Sequence, residues 1–273
     1  MKTTKIEWTE ATWNPSIGCS KVTAGCKNCY AEIMARRLQA IGVTGYENGF
    51  EFKILPERLY QPLNIKKPTK FFVNSMSDLF HKNMPFEFLD KIFEIMENTP
   101  QHHYQILTKR ENILQKYFTK RKVPANVWLG VTVEHEHTKH RIDVLRNIEA
   151  KVRFVSIEPL IGDIGKLDLE KIHWVIVGGE SGTNARPMNP EWAINIQEQC
   201  VKQKIAFFFK QWGTWGADGV KRSKKENGSI LLGKEWKELP IINNPNPLQQ
   251  RQSFIRHFRK SKPLLTQIFQ TRS

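Results

Sequence analysis

The sequence has no long apolar stretch and few cysteines. No apolar run approaches the roughly eighteen residues that a membrane-spanning helix needs. Residues 1–8 lack the apolar core of a signal peptide, so the protein is expected in the cytoplasm. Only four cysteines occur in 273 residues, and three of them lie within residues 19–29. Because cytoplasmic thiols stay reduced, such a cluster predicts metal ligands rather than disulfides.

Acidic residues are also scarce. There are 27 Asp and Glu against 42 Lys and Arg, which gives a formal net charge of +15. Residues 241–273 contain no acid, and their six cations form a basic tail, either a disordered extension or an amphipathic helix. Residues 1–240 are long enough for one α/β domain with a full core. The charge favours a nucleic acid or nucleotide as partner over a protein that is merely soluble and basic.

The three clustered cysteines lie in one polar loop, residues 18–30. Six residues separate Cys19 from Cys26, and two separate Cys26 from Cys29, so the last two thiolates can face one metal centre. A structural zinc site has four protein ligands, and no fourth is evident near this loop. An iron–sulfur cluster held by three cysteines leaves one iron open for another ligand. The loop therefore predicts an iron–sulfur site, with a zinc site or three free thiols as alternatives.

Strand-like apolar runs alternate with helical segments in the rest of the domain. Their spacing predicts βα units and a parallel sheet, here a partial or distorted βα barrel of about six to eight strands. Residues 46–70, which are rich in proline, are expected to form an irregular excursion with one short helix. The runs are 71–78, 104–109, 127–134, 153–159, 174–180 and 206–211.

A polar or charged residue ends each of these runs. Because the carboxyl ends of barrel strands meet on one face, we expect these side chains to share a site. A ring of salt bridges, caps on the following helices, or a hydrolase that binds a divalent metal through the carboxylates are alternatives. The residues are Asp78, Lys109, Glu134, Glu158, Glu180 and Lys210.

Several motifs together resemble a largely uncharacterised phage and bacterial family with a three-cysteine motif, remotely related to radical S-adenosylmethionine enzymes. The resemblance covers about residues 5–240, although the cysteine spacing of six differs from the usual three, and Gly-Gly-Glu ends a late strand rather than the second. The motifs are residues 7–15, the cysteine loop, and residues 74–80, 107–110, 156–160, 178–182 and 208–213.

This resemblance implies a radical-SAM-like fold, an enzyme and two cofactors. Cys19, Cys26 and Cys29 would bind a [4Fe–4S] cluster whose open iron binds S-adenosylmethionine, and an electron donor would reduce it. Lys109, Glu158 and Lys210 are the candidate catalytic residues. The remaining candidates would hold the cofactor, and they are Asn74, Ser75, Asp78, Glu134, Gly178, Gly179 and Glu180.

Overall fold

The computed structural model describes residue 4 and residues 6–241, so the basic tail from residue 242 onward lies outside the described residues. The strands are β1 Ala11–Trp13, β2 Ser16–Ile17, β3 Lys53–Ile54, β4 Lys70–Val73, β5 His103–Thr108, β6 Val127–Thr132, β7 Val152–Ile157, β8 Trp174–Gly178, β9 Ala206–Gln211, β10 Ile230–Leu231 and β11 Lys234–Glu235. The α-helices are α1 Tyr30–Ala40, α2 Phe86–Glu97, α3 Glu111–Phe118, α4 His140–Arg146, α5 Pro190–Lys202 and α6 Lys224–Asn227. In this part of the chain, no helix has the length and apolarity needed to cross a membrane.

Seven strands form one sheet in the order β1-β4-β5-β6-β7-β8-β9, and every neighbouring pair is parallel. The sheet curls into a half-barrel that stays open between its edge strands, β1 and β9. This confirms the predicted partial barrel, and each of the six apolar runs is one of its strands. The strand order follows the chain because helix-containing segments join most of the successive strands, as βα units require.

The two faces of the sheet carry different side chains. On one face, residues such as Phe71, Ile106 and Val131 join the large core that includes Leu89 and Ile92 of α2. The opposite, concave face carries a separate aromatic cluster, which consists of Trp8, Phe72, Trp128, Phe154, Trp174 and Phe208 with Val152 and Ile176. These aromatic rings fill the lower part of the half-barrel, so any site must lie above them, towards the carboxyl ends of the strands.

Residues 46–70 differ from the prediction of one short helix. They contain β3, which pairs with β2, and two 3-10 turns at Pro56–Arg58 and Gln61–Asn64. Their apolar side chains do not extend the main core, because Tyr46 and Leu55 pack with Ile17 and Ala35 in a small cluster of their own. This cluster attaches α1, which follows the cysteine loop, to the excursion rather than to the sheet.

Candidate cofactor and active site

Five of the predicted strand-end residues form a polar ring above the aromatic cluster. Side chains alternate along a strand, and the pairing of Gln105 with Trp128 and of Phe154 with Trp174 sets which positions face the concave side. Every second residue from these positions lies on the same side. Towards the carboxyl ends of the strands, the residues on this side are Lys109, Glu134, Glu158, Glu180 and, on β9, Lys210. Asp78 lies beyond β4 and outside this ring. The common register of the run ends, visible in the sequence, thus corresponds to one face of the sheet.

Glu134 supports the middle of the cysteine loop from below. Its side chain is fully buried, and its Oε1 accepts a hydrogen bond of 2.7 Å from the Thr23 hydroxyl. A Cβ on Gly25 would lie 2.5 Å from the same Oε1, so only glycine lets the loop rest on this carboxylate. Arg141 Nη1 donates to Oε2 at 3.0 Å, and Lys109 Nζ lies 3.7 Å from Oε1. The glycine before Cys26 is therefore required by this contact.

Glu180 holds the second half of the loop together with Arg186. Its Oε2 accepts from Asn28 Nδ2 at 3.0 Å and from Arg186 Nε at 2.9 Å. Arg186 also donates from Nη1 to the Ala24 carbonyl at 3.0 Å, so one guanidinium connects the carboxylate to the loop. Burial alone would raise the pKa of Glu180, but the bonds from Arg186 and Asn28 outweigh it and lower this pKa.

Arg110 and His81 hold the start of the loop. Arg110 Nη2 donates to the carbonyl and the hydroxyl of Ser20, at 2.8 Å each, and lies 3.9 Å from Cys19 Sγ. His81 Nε2 lies 3.0 Å from the same hydroxyl. Burial first, and then Arg110 and Lys82, lower the pKa of His81 to about 4, so this imidazole is neutral at pH 7. Burial also raises the pKa of Cys19, with Asp78 adding to the effect.

The residues after β4 anchor the backbone that leads into the loop. Asn74 has a positive φ of 58°, a conformation that asparagine tolerates, and its Nδ2 donates to Ser16 Oγ at 2.8 Å. Ser77 Oγ donates to the Gly18 carbonyl at 2.6 Å. The Tyr30 hydroxyl donates to the Ser75 carbonyl.

Asp78 is almost fully occupied by protein donors. Its Oδ1 accepts from Thr108 Oγ1 at 2.7 Å and from Phe80 N at 2.9 Å, and its Oδ2 accepts from Lys109 N at 3.1 Å. It therefore ties the turn after β4 to the end of β5.

Glu158 and Lys210 differ from the rest of the polar ring, because their described bonds are to each other. Lys210 Nζ lies 2.7 and 2.8 Å from the two carboxylate oxygens of Glu158. About a fifth of each side chain is exposed, 19% for Lys210 and 22% for Glu158. A Cβ on Gly178, which lies on the strand between them, would come within 3.2 Å of Glu158 Oε1. This pair therefore faces the open part of the half-barrel.

Contacts with a neighbouring backbone segment explain why position 179 is a glycine. A Cβ there would lie 1.9 Å from the Trp212 carbonyl oxygen, and one on Gly213 would lie 2.2 Å from the Glu180 carbonyl oxygen. Protein backbone therefore fills the space beside Gly179, and its role in holding the cofactor stays a prediction. Gly178, by contrast, borders the exposed Glu158–Lys210 pair.

The structure thus brings the three cysteines, which are all half-buried, to the carboxyl end of the sheet. Six residues that hold the loop, directly or through Glu134, are not among the predicted site residues, namely Thr23, Asn28, His81, Arg110, Arg141 and Arg186. Thr23 and Asn28 lie inside the loop, and Arg110 follows Lys109 in the motif at residues 107–110, so the sequence contained a signal for these three residues. Arg141 and Arg186 lie on other segments, and only tertiary contacts reveal them.

A family model described as "Protein of unknown function (DUF5131)" matches residues 3–240. The chain belongs to this family. The match spans the domain in which the sequence motifs lie and supports the resemblance to an uncharacterised family. None of the curated proteins with which the chain was compared matches it.

Solved structures of spore photoproduct lyase are similar to this chain at low identity. A complex with dinucleoside spore photoproduct has a TM-score of 0.46 and 12% identity, and the match covers 74% of this chain and 63% of that one. A variant with bound AdoMet and the same ligand has a TM-score of 0.43 and 13% identity, over 65% of this chain and 57% of that one. The chain therefore spans less than two thirds of the first structure's length.

Proposed function

We propose that the protein is an iron–sulfur enzyme of the radical S-adenosylmethionine type that acts on nucleic acid or a nucleotide. The observation that carries the proposal is the cysteine loop itself. Two buried carboxylates, Glu134 and Glu180, fix it over the concave face, next to a partly exposed ion pair. Such preorganisation of a half-exposed thiol loop is what a bound redox group beside a substrate site requires.

The donor set fits a cluster held by three cysteines. Cys19, Cys26 and Cys29 are half-buried on one loop, whereas Cys200 is fully buried in α5, where burial raises its pKa to about 12. In the described ranges, no three His, Cys, Asp or Glu side chains surround a single metal-ion position. Three thiols on one loop suit a cluster with one iron free, which in the bound state would supply reductive cleavage of S-adenosylmethionine and hydrogen abstraction.

The polar ring divides into two parts with different tasks. Glu134 and Glu180 already accept hydrogen bonds from the loop and from buried or half-buried arginines, so we assign them to holding the loop. Lys109, Glu158 and Lys210 keep about a fifth of their side chains exposed. We therefore propose that these three bind and orient the substrate, because one carboxylate and two ammonium groups can complement its charged or polar groups.

An exposed basic segment beside the site supports a nucleic acid substrate. Lys221 donates to the Thr183 carbonyl and lies 5.7 Å from the centre of the Trp215 ring, while Trp215 donates to the Ala185 carbonyl. Ala185 precedes Arg186, which binds the cysteine loop. Cations interleaved with an aromatic ring suit a nucleic acid strand. The segment's other exposed cations are Arg222, Lys224 and Lys225.

The test is the iron and sulfide content of protein purified without oxygen. We expect about four irons and four sulfides per chain in the wild type. Cys26→Ala should lose both, whereas the matched variant Cys200→Ala should keep them, because Cys200 lies away from the loop. A wild-type protein that carries one zinc and no iron after anaerobic reconstitution would refute the proposal.

A further inference from the structure

The amino-terminal end of the sheet, opposite the cysteine loop, carries a surface of lysines. The loop before β4, residues 64–70, contains three lysines and no acid, and the loop before β6, residues 119–126, contains three cations and no acid. Lys151 lies directly before β7, two residues after Glu149. Because the strands are parallel, the residues that precede them lie at one end of the half-barrel. This lysine surface comprises Lys66, Lys67, Lys70, Lys120, Lys122 and Lys151.

Contacts among the strand starts bring these lysines together. Lys70 is paired with His103 in the register of β4 and β5. Burial, and then Lys151 and Lys70, lower the pKa of His103, so both cations lie near this imidazole. The loops before β6 and β7 line one cavity of about 680 Å³, and Lys122 and Lys151 are among its lining residues. The lysine surface therefore crosses four neighbouring strands, from β4 to β7.

Neighbouring acids do not pair with the charges of this surface. Five of the six lysines are exposed, and Lys70 is half-buried. In the described ranges none of the six forms a salt bridge, whereas Arg121, which lies among them, pairs with Asp90 at 2.6 Å. A lysine at the end of a helix complements the helix dipole, which accounts for Lys120 after α3. The dipole does not account for the three lysines of residues 64–70, because these follow a 3-10 turn.

The side chains between the lysines indicate the kind of partner. Residues 64–70, 119–126 and 147–151 are all described, and they expose no large apolar side chain. A protein interface has an apolar centre, and a membrane-surface segment inserts apolar side chains, so neither partner suits this surface. Single-strand binding relies on aromatic rings that stack on bases, and these loops contain no Phe, Tyr or Trp. Cations alone, by contrast, can bind the phosphate backbone of a duplex.

The extent of the lysine surface also suits a duplex. Neighbouring strands lie about 4.8 Å apart, so the step from β4 to β7 measures about 14 Å. A duplex carries one negative charge per about 1.7 Å of its axis, so this length presents about eight phosphates. The lysines can therefore contact several phosphates at once.

We propose that the lysine surface binds the phosphate backbone of duplex nucleic acid, whatever its base sequence. This inference goes beyond the proposed function, because it needs neither the cysteine loop nor the polar ring. The lysine surface and the polar ring lie at opposite ends of the strands, so a duplex on the surface leaves the ring open. The surface is then an anchor on nucleic acid, separate from the site of the proposed chemistry.

The experiment measures binding of a fluorescein-labelled duplex oligonucleotide by fluorescence anisotropy over a series of salt concentrations. Lys67→Gln/Lys122→Gln removes two charges from the lysine surface. Lys91→Gln/Lys166→Gln is the matched control, because both residues are exposed lysines outside the surface and the net charge falls equally. A single-stranded oligonucleotide and phosphatidylserine vesicles are the alternative ligands. Iron content is measured on every protein.

We expect the surface variant to bind the duplex at least about tenfold more weakly at low salt, with a plot of log K against log salt that is shallower by about two, since each lost phosphate contact removes about 0.9. The control variant should keep the wild-type slope, and both variants should keep wild-type iron. Single-strand affinity should change by less than about threefold in the surface variant.

Equal slopes in the two variants would overturn this inference and leave the proposed function intact. An equal loss of single-strand binding would overturn the assignment to duplex, and a loss of vesicle binding with duplex binding unchanged would overturn it in favour of a membrane surface. A wild type without iron, whose surface variant still loses duplex binding, would support this inference and refute the proposed function.

Discussion

Two pairs of charged residues at the mouth of the half-barrel have opposite surroundings. Glu134 and Arg141 are buried, at 0% and 3% exposure, and the carboxylate bonds to the cysteine loop. Glu158 and Lys210 are partly exposed, and the side-chain hydrogen bonds described for them are to each other. Glu134 and Glu158 therefore occupy equivalent positions after neighbouring strands but have different roles. Glu134 holds the loop, and Glu158 faces the space proposed for the ligand.

The largest effect should come from breaking the buried pair. Glu134→Gln should lower the free energy of unfolding by about 2 kcal/mol, less than the loss of a sole partner would cost, because buried Arg141 keeps its bond to Glu111. The loop should lose its support, and the purified protein its iron. Glu158→Gln is the matched control and should cost less than about 1 kcal/mol, since its pair is partly solvated. Denaturant unfolding gives the free energy of unfolding of each variant, and iron analysis gives its iron content. Equal losses in the two variants would contradict the different roles assigned to Glu134 and Glu158.

Gly25→Ala tests the contact between loop and carboxylate without changing any charge. The added methyl group would lie 2.5 Å from Glu134 Oε1, and such overpacking should cost about 2 kcal/mol and displace the loop. Thr23→Val is the companion variant, because it removes the bond to Glu134 and should cost only about 1 kcal/mol. Unfolding free energies and iron content are compared. Wild-type iron in Gly25→Ala would show that the loop does not depend on this contact.

His81 should make the loop's other anchor sensitive to acid. Its pKa is lowered from 6.5 to about 4 by burial and by Arg110, so the unfolded state takes up a proton first as pH falls. The stability that this neutral histidine contributes is complete above about pH 6.5 and is lost progressively towards pH 4. Between pH 7 and pH 5 the wild type should lose on the order of 1 kcal/mol more than His81→Gln. Parallel pH profiles of unfolding free energy would refute this assignment.

The smallest effect on folding is expected from the exposed pair. Glu158→Gln and Lys210→Met should keep wild-type iron and the change that S-adenosylmethionine causes in the reduced EPR signal. Lys210→Met should weaken binding of a single-stranded oligonucleotide by about fivefold, because an ammonium group near a phosphate is lost. Electron paramagnetic resonance and fluorescence anisotropy provide the two measurements. Loss of the S-adenosylmethionine response would show that the pair binds the cofactor instead.

The sequence predicted the sheet well because its signals are local. Buried parallel strands are short apolar runs, and the residues that end them share one register, so six strands and the position of the polar ring could be predicted. The direction of α1 could not, because the spacing of Ile33 and Met34 indicates a helix and not which side of it is covered. That depended on the excursion at residues 46–70, whose Tyr46 and Leu55 cover Ala35.

The separate roles of the residues in the polar ring could not be predicted from the sequence either. Glu134, Glu158 and Glu180 have the same residue type and equivalent positions, and only their partners distinguish them. Arg141 and Arg186 come from a helix and from a loop that no motif connects to the cysteines. Pairing between segments more than a hundred residues apart, as between Thr23 and Glu134, follows from the complete fold alone.

The most direct test of the central claim is the EPR spectrum of the reduced, anaerobically purified protein before and after S-adenosylmethionine is added. We expect a signal from a reduced cluster that changes when the cofactor is added, because three cysteines leave one iron open to bind it. A cluster signal that stays the same would show that no open iron meets the cofactor. The absence of any cluster signal in iron-reconstituted protein would contradict the assignment of the cysteine loop itself.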